Sequence, residues 1–197
     1  PNEEKLTFSA VFEITPLGRI VSQWFGKAVI NSDYRFAYEE AQAIIEGASE
    51  GVRENLPDDI RDAILTLNAL AGKLRKKRFA SGAISFDRPE MKVEVDEKGR
   101  PVNVYQKVTK EANWLIEEFM LLANRRVAEF CARANGKERT MVYRVHDRPN
   151  SDKFERFRTF ILRFGHIFKS SIDKGDAAAK ELNKLLASIK GKPEENV

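Results

Sequence analysis

Residues Ala112–Phe130 read ANWLIEEFMLLANRRVAEF, a run long and apolar enough to form the spine of a domain. On a helical wheel Leu115, Ile116, Phe119, Met120, Leu122, Ala123, Val127 and Phe130 make one broad apolar stripe. Leu121 and Ala128 fall on the opposite side, so the pattern predicts a helix that is apolar nearly all round and buried. Asn113, Glu117 and Asn124 nevertheless stand in one line along it, at spacings of four and seven. A carboxylate and two amides on a buried helix cost free energy unless each finds a partner. That line is the first expected to face a ligand.

Working outward, Thr109 is the expected cap of this helix, with Glu111 and Ala112 in its first turn. Before it, Ala83–Phe86, Met91–Val95 and Pro101–Tyr105 read as short strands, the last two joined by the turn Asp96-Glu97-Lys98-Gly99. Pro57-Asp58-Asp59 opens another helix, with proline just inside its start and acids in its first turn; Gly82 breaks it. Leu6–Ile14 and Ile20–Ile30 read as strands joined by Thr15-Pro16-Leu17-Gly18, followed by a short helix Tyr38–Glu46 ending at Gly47. After Asn135-Gly136, Met141–Val145 reads as a strand, Asp152–Phe168 as a helix broken near Gly165, and Ala177–Ile189 as a helix. The expected fold class is α+β, with short antiparallel strands packed around a long, central, buried helix and one main core.

Composition narrows the chemistry. A single cysteine, Cys131, excludes an intrachain disulfide and fits a reducing, cytoplasmic setting. One Cys with two His, His146 and His166, leaves almost no room for a Cys/His zinc site, so any metal chemistry falls to carboxylates and a hard ion such as magnesium. No apolar run is long enough to span a bilayer. The net charge of +4 leans only weakly toward a polyanionic partner. The chain opens Pro1-Asn2-Glu3 without an initiator methionine, as expected of a piece of a longer protein.

Each candidate carries two readings. The basic run Lys73–Arg78 can contact phosphates, but cations at a helix C-terminus also complement the macrodipole and stay solvated, and that is the favoured reading. Phe86, at a strand end beside Asp87-Arg88-Pro89, can stack on a base or simply fill the core. Tyr34, Phe36 and Tyr38 divide the same way. Glu117 and Glu118 point about 100° apart on a helix and cannot chelate one ion as a pair. Glu118 is expected to pair with Arg125, while Glu117 either accepts a hydrogen bond from a ligand hydroxyl or is a paired structural glutamate. His146-Asp147 can form an acid–base couple but has no nucleophile beside it; His166 reads as a satisfied core histidine. There is no phosphate-binding glycine loop, Walker lysine or dinucleotide fingerprint.

Taken in order, LTFSAVFEI, WFGKAVINSDYRFAYEEAQ, LNALAGKLRKKR, GAISFDRPE, ANWLIEEFMLLANRRVAEF and YRVHDRP resemble the RNB catalytic domain of the RNase II and RNase R exoribonucleases, with bacterial RNase R the nearer likeness. The resemblance runs from Leu6 to about Phe168 and implies a partial RNB domain. It implies processive 3′-to-5′ hydrolysis of single-stranded RNA to nucleoside 5′-monophosphates with magnesium ions. It also implies roles for three residues: Tyr38 near the terminal nucleotides, Phe86 stacking on the 3′-terminal bases, and Glu117 recognising the ribose. The 2′-hydroxyl is what distinguishes RNA, and a carboxylate can accept its hydrogen bond.

The departures matter equally. The family's metal-binding aspartates lie upstream of the LTFSAVFEI strand, and its Arg-rich segment, which supplies a catalytic arginine, lies downstream; neither is in this sequence. The flanking cold-shock and S1 domains are missing too. The implied picture is the central part of the catalytic domain: it positions RNA, holds no metal, works with the rest of its polypeptide and is inactive alone. The alternatives are a non-catalytic RNA-binding or scaffold protein on a degenerate domain of this kind, and an unrelated basic structural module. Exposed apolar surface is expected where the absent parts would pack.

Overall fold

The computed structural model describes residues 2–48, 56–84, 90–133, 140–145, 149–171 and 175–196. The chain forms two compact units, Pro1–Arg75 with Pro89–Tyr143 and Lys76–Arg88 with Arg144–Val197, rather than the single core expected. Elements run β1 (Glu4–Ile14), β2 (Ile20–Asn31), α1 (Tyr38–Glu46), α2 (Asp58–Ala80), β3 (Glu90–Val95), β4 (Pro101–Lys107), α3 (Glu111–Arg133), α4 (Ser151–Leu162), α5 (Gly175–Ile189) and a 3-10 turn Pro193–Asn196. The α+β class holds.

In the first unit β1 and β2 pair antiparallel, from Glu4 opposite Asn31 to Glu13 opposite Ser22, with a register shift at Ile14. The turn closes through the Gly18 N–H, which donates to the Thr15 carbonyl at 2.8 Å with Gly18 at φ 75°. Lys73 of α2 reaches this turn, its Nζ donating to the Pro16 carbonyl. One face of the ribbon carries Phe12 and Phe25, ring centroids 5.9 Å apart, and Phe25 packs at 5.0 Å against Phe130 of α3. On the other face the Trp24 indole lies where a Cβ on Gly26 would stand, so only glycine lets the ring lie along the strand. β3 and β4 form a second hairpin. Its turn is tied by the Asp96 carboxylate, which accepts from the Lys98 and Arg100 amides and Arg100 Nε at 2.9 Å each.

The predicted spine is present but less covered than its periodicity implies. On α3 only Ala112, Leu115 and Glu118 are buried, while Ile116, Met120, Leu121 and Phe130 are 40–58% exposed. Periodicity reports what a helix offers for burial, not what lies against it. The helix start also differs from expectation. Lys110 rather than Thr109 is its cap, since the Trp114 N–H donates to the Lys110 carbonyl and the Lys110 N–H to Asn113 Oδ1, both at 3.1 Å. Gln42 of α1, only 5% exposed, supplies the rest. Its Oε1 accepts from the Ala112 N–H at 2.9 Å, and its Nε2 donates to Glu111 at 2.8 Å and Glu46 at 3.0 Å. Lys110 Nζ closes the cluster on Glu46 at 2.9 Å. An orphan amide at the start of α3 is thus capped by a side chain from α1, which fixes the two helices together.

In the second unit Asn150 caps α4, accepting from the Lys153 N–H at 3.1 Å. Helix α4 ends at Leu162, just before the break expected near Gly165, which stands at φ 79°; the helix does not resume before Phe168. Phe154, Phe157 and the buried Phe168 pack with centroids 5.4–6.3 Å apart. Glu181 of α5 accepts from the Lys169 and Ser170 amides at 2.6 and 2.7 Å, tying down the segment that follows. His166 is not the satisfied histidine expected: its buried Nε2 has no hydrogen-bond partner among the described residues, and it faces an apolar hollow between α4 and α5. Met141–Val145 is not a strand; it has no neighbouring strand among the described residues, and Val142 is 95% exposed. Ala83 and Ile84 are likewise irregular.

Candidate nucleic-acid interface

The loop before α1 is aromatic, and its rings pair among themselves. Tyr34 and Phe36 stack with centroids 6.0 Å apart and planes 16° from parallel. The Ala37 N–H donates to Glu40 Oε2 at 2.8 Å, the return half of a capping box. That bond pins the first turn of α1, where Tyr38 is the first helical residue and stands 48% exposed. Its ring is therefore presented on a fixed backbone and is open to a flat partner such as a base.

Glu117 sits on α3 in a cluster that the sequence does not announce. Arg75 of α2 lays its guanidinium over the Trp114 ring, Cζ 4.5 Å from the centroid. Its Nη1 lies 3.9 Å from Glu117 Oε2 and 3.7 Å from Glu118 Oε1. Glu117 and Glu118 lie three and four residues after Trp114, about one helical turn on, and Arg75 of the neighbouring helix reaches all three. Burial is uneven: the side chains of Glu118 and Arg75 are 3% and 21% exposed, whereas Glu117 is 45% exposed. The buried carboxylate needs a cation, and Arg75 provides it. Glu117 shares the same cation while still facing solvent.

Glu118 pairs with Arg75, not Arg125; Arg125 instead pairs with Glu129 at 3.2 Å along its own helix. The basic run Lys73–Arg78 is not one solvated face either, since Lys73 bonds the Pro16 carbonyl, Arg75 is clamped, and Arg78 lies 4.9 Å over Phe79. Arg75 was legible in principle. It follows by four residues Ala71, the buried residue of α2, so it lies on the inward stripe.

Of the polar line, Asn113 is spent on the start of α3, Glu117 is held by Arg75, and Asn124 is exposed. Phe86, with Asp87-Arg88-Pro89, lies outside the described residues, as does His146-Asp147. Among the described residues no three His, Cys, Asp or Glu side chains converge as metal ligands. No described helix is long and apolar enough to cross a membrane.

The model of the RNB domain family matches residues 1–197. DIS3-like exonuclease 2 of Schizosaccharomyces pombe is 40% identical over 87% of the chain, which covers 19% of that protein. Ribonuclease R 1 of Lactococcus lactis is 34% identical over 100% of the chain, covering 23% of it. The chain thus spans about a fifth of the length of these curated relatives. Mycoplasma genitalium RNase R in complex with ribose methylated single-stranded RNA superposes with a TM-score of 0.85 over 99% of this chain and 29% of that one. At 20% identity, that likeness is one of fold.

Proposed function

Because the chain belongs to the RNB domain family, we propose that it is the RNA-positioning part of a 3′-to-5′ exoribonuclease. The whole protein hydrolyses single-stranded RNA processively to nucleoside 5′-monophosphates with magnesium, and this segment alone is inactive. In this reading it is the central part of the catalytic domain. The metal-binding carboxylates, the catalytic arginine and the cold-shock and S1 domains come from elsewhere in the same cytoplasmic polypeptide. Tyr38 packs near the terminal nucleotides, Phe86 stacks on the 3′-terminal bases, and Glu117 accepts a hydrogen bond from a ribose 2′-hydroxyl.

The observation that carries this reading is the family match along residues 1–197 by a chain about a fifth as long as its curated relatives. The exposure of Tyr38 and Glu117, on helices tied together through Gln42, supports it. Two-metal hydrolysis needs carboxylates that hold both ions against one phosphate, and no described cluster here supplies them. The test is a denaturing gel of 5′-labelled single-stranded RNA with magnesium, using this chain beside the full-length protein. Stepwise shortening from the 3′ end by the full-length protein alone is the expected result. Shortening by the isolated chain overturns the division of labour, and no shortening by either points to the scaffold reading.

A further inference from the structure

We infer that Arg75 is a positioning residue for ribose recognition: clamped by Trp114 and Glu118, it holds Glu117 in the orientation that reads the 2′-hydroxyl. The inference rests on the role proposed above for Glu117 and adds the device that makes the role work. A glutamate side chain 45% exposed on a helix samples many rotamers, and selecting one on binding costs conformational entropy. A partner already in place removes most of that cost.

Arg75 is such a partner because two groups other than Glu117 fix it. The indole of Trp114 lies under the guanidinium, its centroid 4.5 Å from Cζ. The carboxylate of Glu118, 3% exposed, sets the position of Nη1 at 3.7 Å. A carboxylate that deeply buried requires a cation, so the pair is retained whether or not a ligand is present. Glu117 Oε2 then leans on the same nitrogen at 3.9 Å. The charges fit the task as well. Two adjacent carboxylates repel a polyphosphate strand, and one shared guanidinium offsets half of that repulsion while leaving Glu117 an acceptor. Lysine would keep the charge but not the plane, since it cannot stack on Trp114 with a guanidinium's fixed fork.

The experiment uses the full-length protein and two 5′-labelled oligonucleotides, one all-ribose and one carrying 2′-deoxyribose at its 3′-terminal positions. The readout is the ratio of kcat/KM for the two, which a merely structural defect leaves unchanged because it slows both alike. Arg75→Met is expected to shrink the ratio by roughly fivefold, the worth of one hydrogen bond of ordinary strength. Glu117→Ala, which leaves no acceptor, should shrink it similarly, and the double variant no further. Arg75→Lys, which keeps the buried charge and guards against failure to fold, should fall between wild type and Arg75→Met. If Glu117→Ala shrinks the ratio while Arg75→Met slows both substrates equally, or if Arg75→Lys keeps the full ratio, the inference is overturned and the Glu117 reading stands. If Glu117→Ala leaves the ratio intact, the reading fails and the inference falls with it.

Discussion

Replacing Gln42 by methionine removes the cap that α1 places on α3 while keeping nearly the same volume. The Ala112 N–H, in a residue 3% exposed, then loses its acceptor at 2.9 Å and lies out of reach of bulk solvent. A buried donor left unpaired costs about 1–3 kcal/mol. The two Nε2 bonds end on Glu46, 48% exposed, and on the exposed Glu111, so water takes over and their loss adds little. Methionine fills the space, so no cavity term enters. The expected loss is therefore about 2 kcal/mol, which moves a urea midpoint by roughly 1 M. Hydrogen exchange localises it, because the Ala112 amide should lose its protection while the α4–α5 unit keeps its own. Gln42→Glu sharpens the case: the carboxylate can still accept from Ala112 but meets the carboxylates of Glu46 and Glu111, so its penalty should shrink as pH falls. A loss below about 0.5 kcal/mol for Gln42→Met, with Ala112 still protected, would refute the reasoning.

Other outcomes follow from the same geometry. The hydrogen bonds from Lys110 and then from Gln42 hold the Glu46 carboxyl below its ordinary range. Its contribution is thus present above the unfolded carboxylate value and lost as pH falls through the lower folded value; Glu46→Gln should flatten that part of an acid-unfolding curve. Lys110 is raised by the same partner, so its share is intact below the ordinary lysine value and lost as pH rises through the higher folded one. The backbone amide of Lys169, followed by Ser170, lowers Glu181; Glu181→Gln should weaken protection of those two amides and remove its share of acid sensitivity. Gly47→Ala meets no atom within 4 Å but must adopt φ 70°, so thermal unfolding should register a loss of about 1 kcal/mol from backbone strain alone. Gly26→Ala drives its Cβ into the Trp24 ring, which is 50% exposed and can swing aside. The Trp24 indole resonance should shift while stability changes by less than about 1 kcal/mol.

Much of the fold was legible because its signals are local. Gly18, Gly47 and Gly99, all at positive φ, mark turns or helix ends that composition alone predicts. The helices of residues 38–46, 58–80 and 111–133 follow from their periodicity and boundaries. What failed to show is what depends on partners. The burial of α3 was overestimated because a stripe does not reveal how much of it is covered. Thr109 has the residue type of a cap and precedes the helix, whereas the capping is shared by Asn113 and a glutamine 70 positions away. At the candidate site the aromatic loop marks Tyr38, and the cost of a carboxylate on an apolar helix marks Glu117; the family resemblance gives both their roles. Arg75 stands inside a run of cations that read as one face; its place four residues after Ala71 on the inward stripe is the signal that separates it, and the tertiary clamp shows what that place is for.

The central claim is that this chain lines the path of an RNA 3′ end. Photocrosslinking tests it most directly: full-length protein, held in EDTA, is irradiated with single-stranded RNA carrying 4-thiouridine at its 3′-terminal positions, and the adducts are mapped by mass spectrometry. The account predicts crosslinks on the peptides containing Tyr38 and Phe86. Crosslinks confined to peptides outside these 197 residues would contradict it.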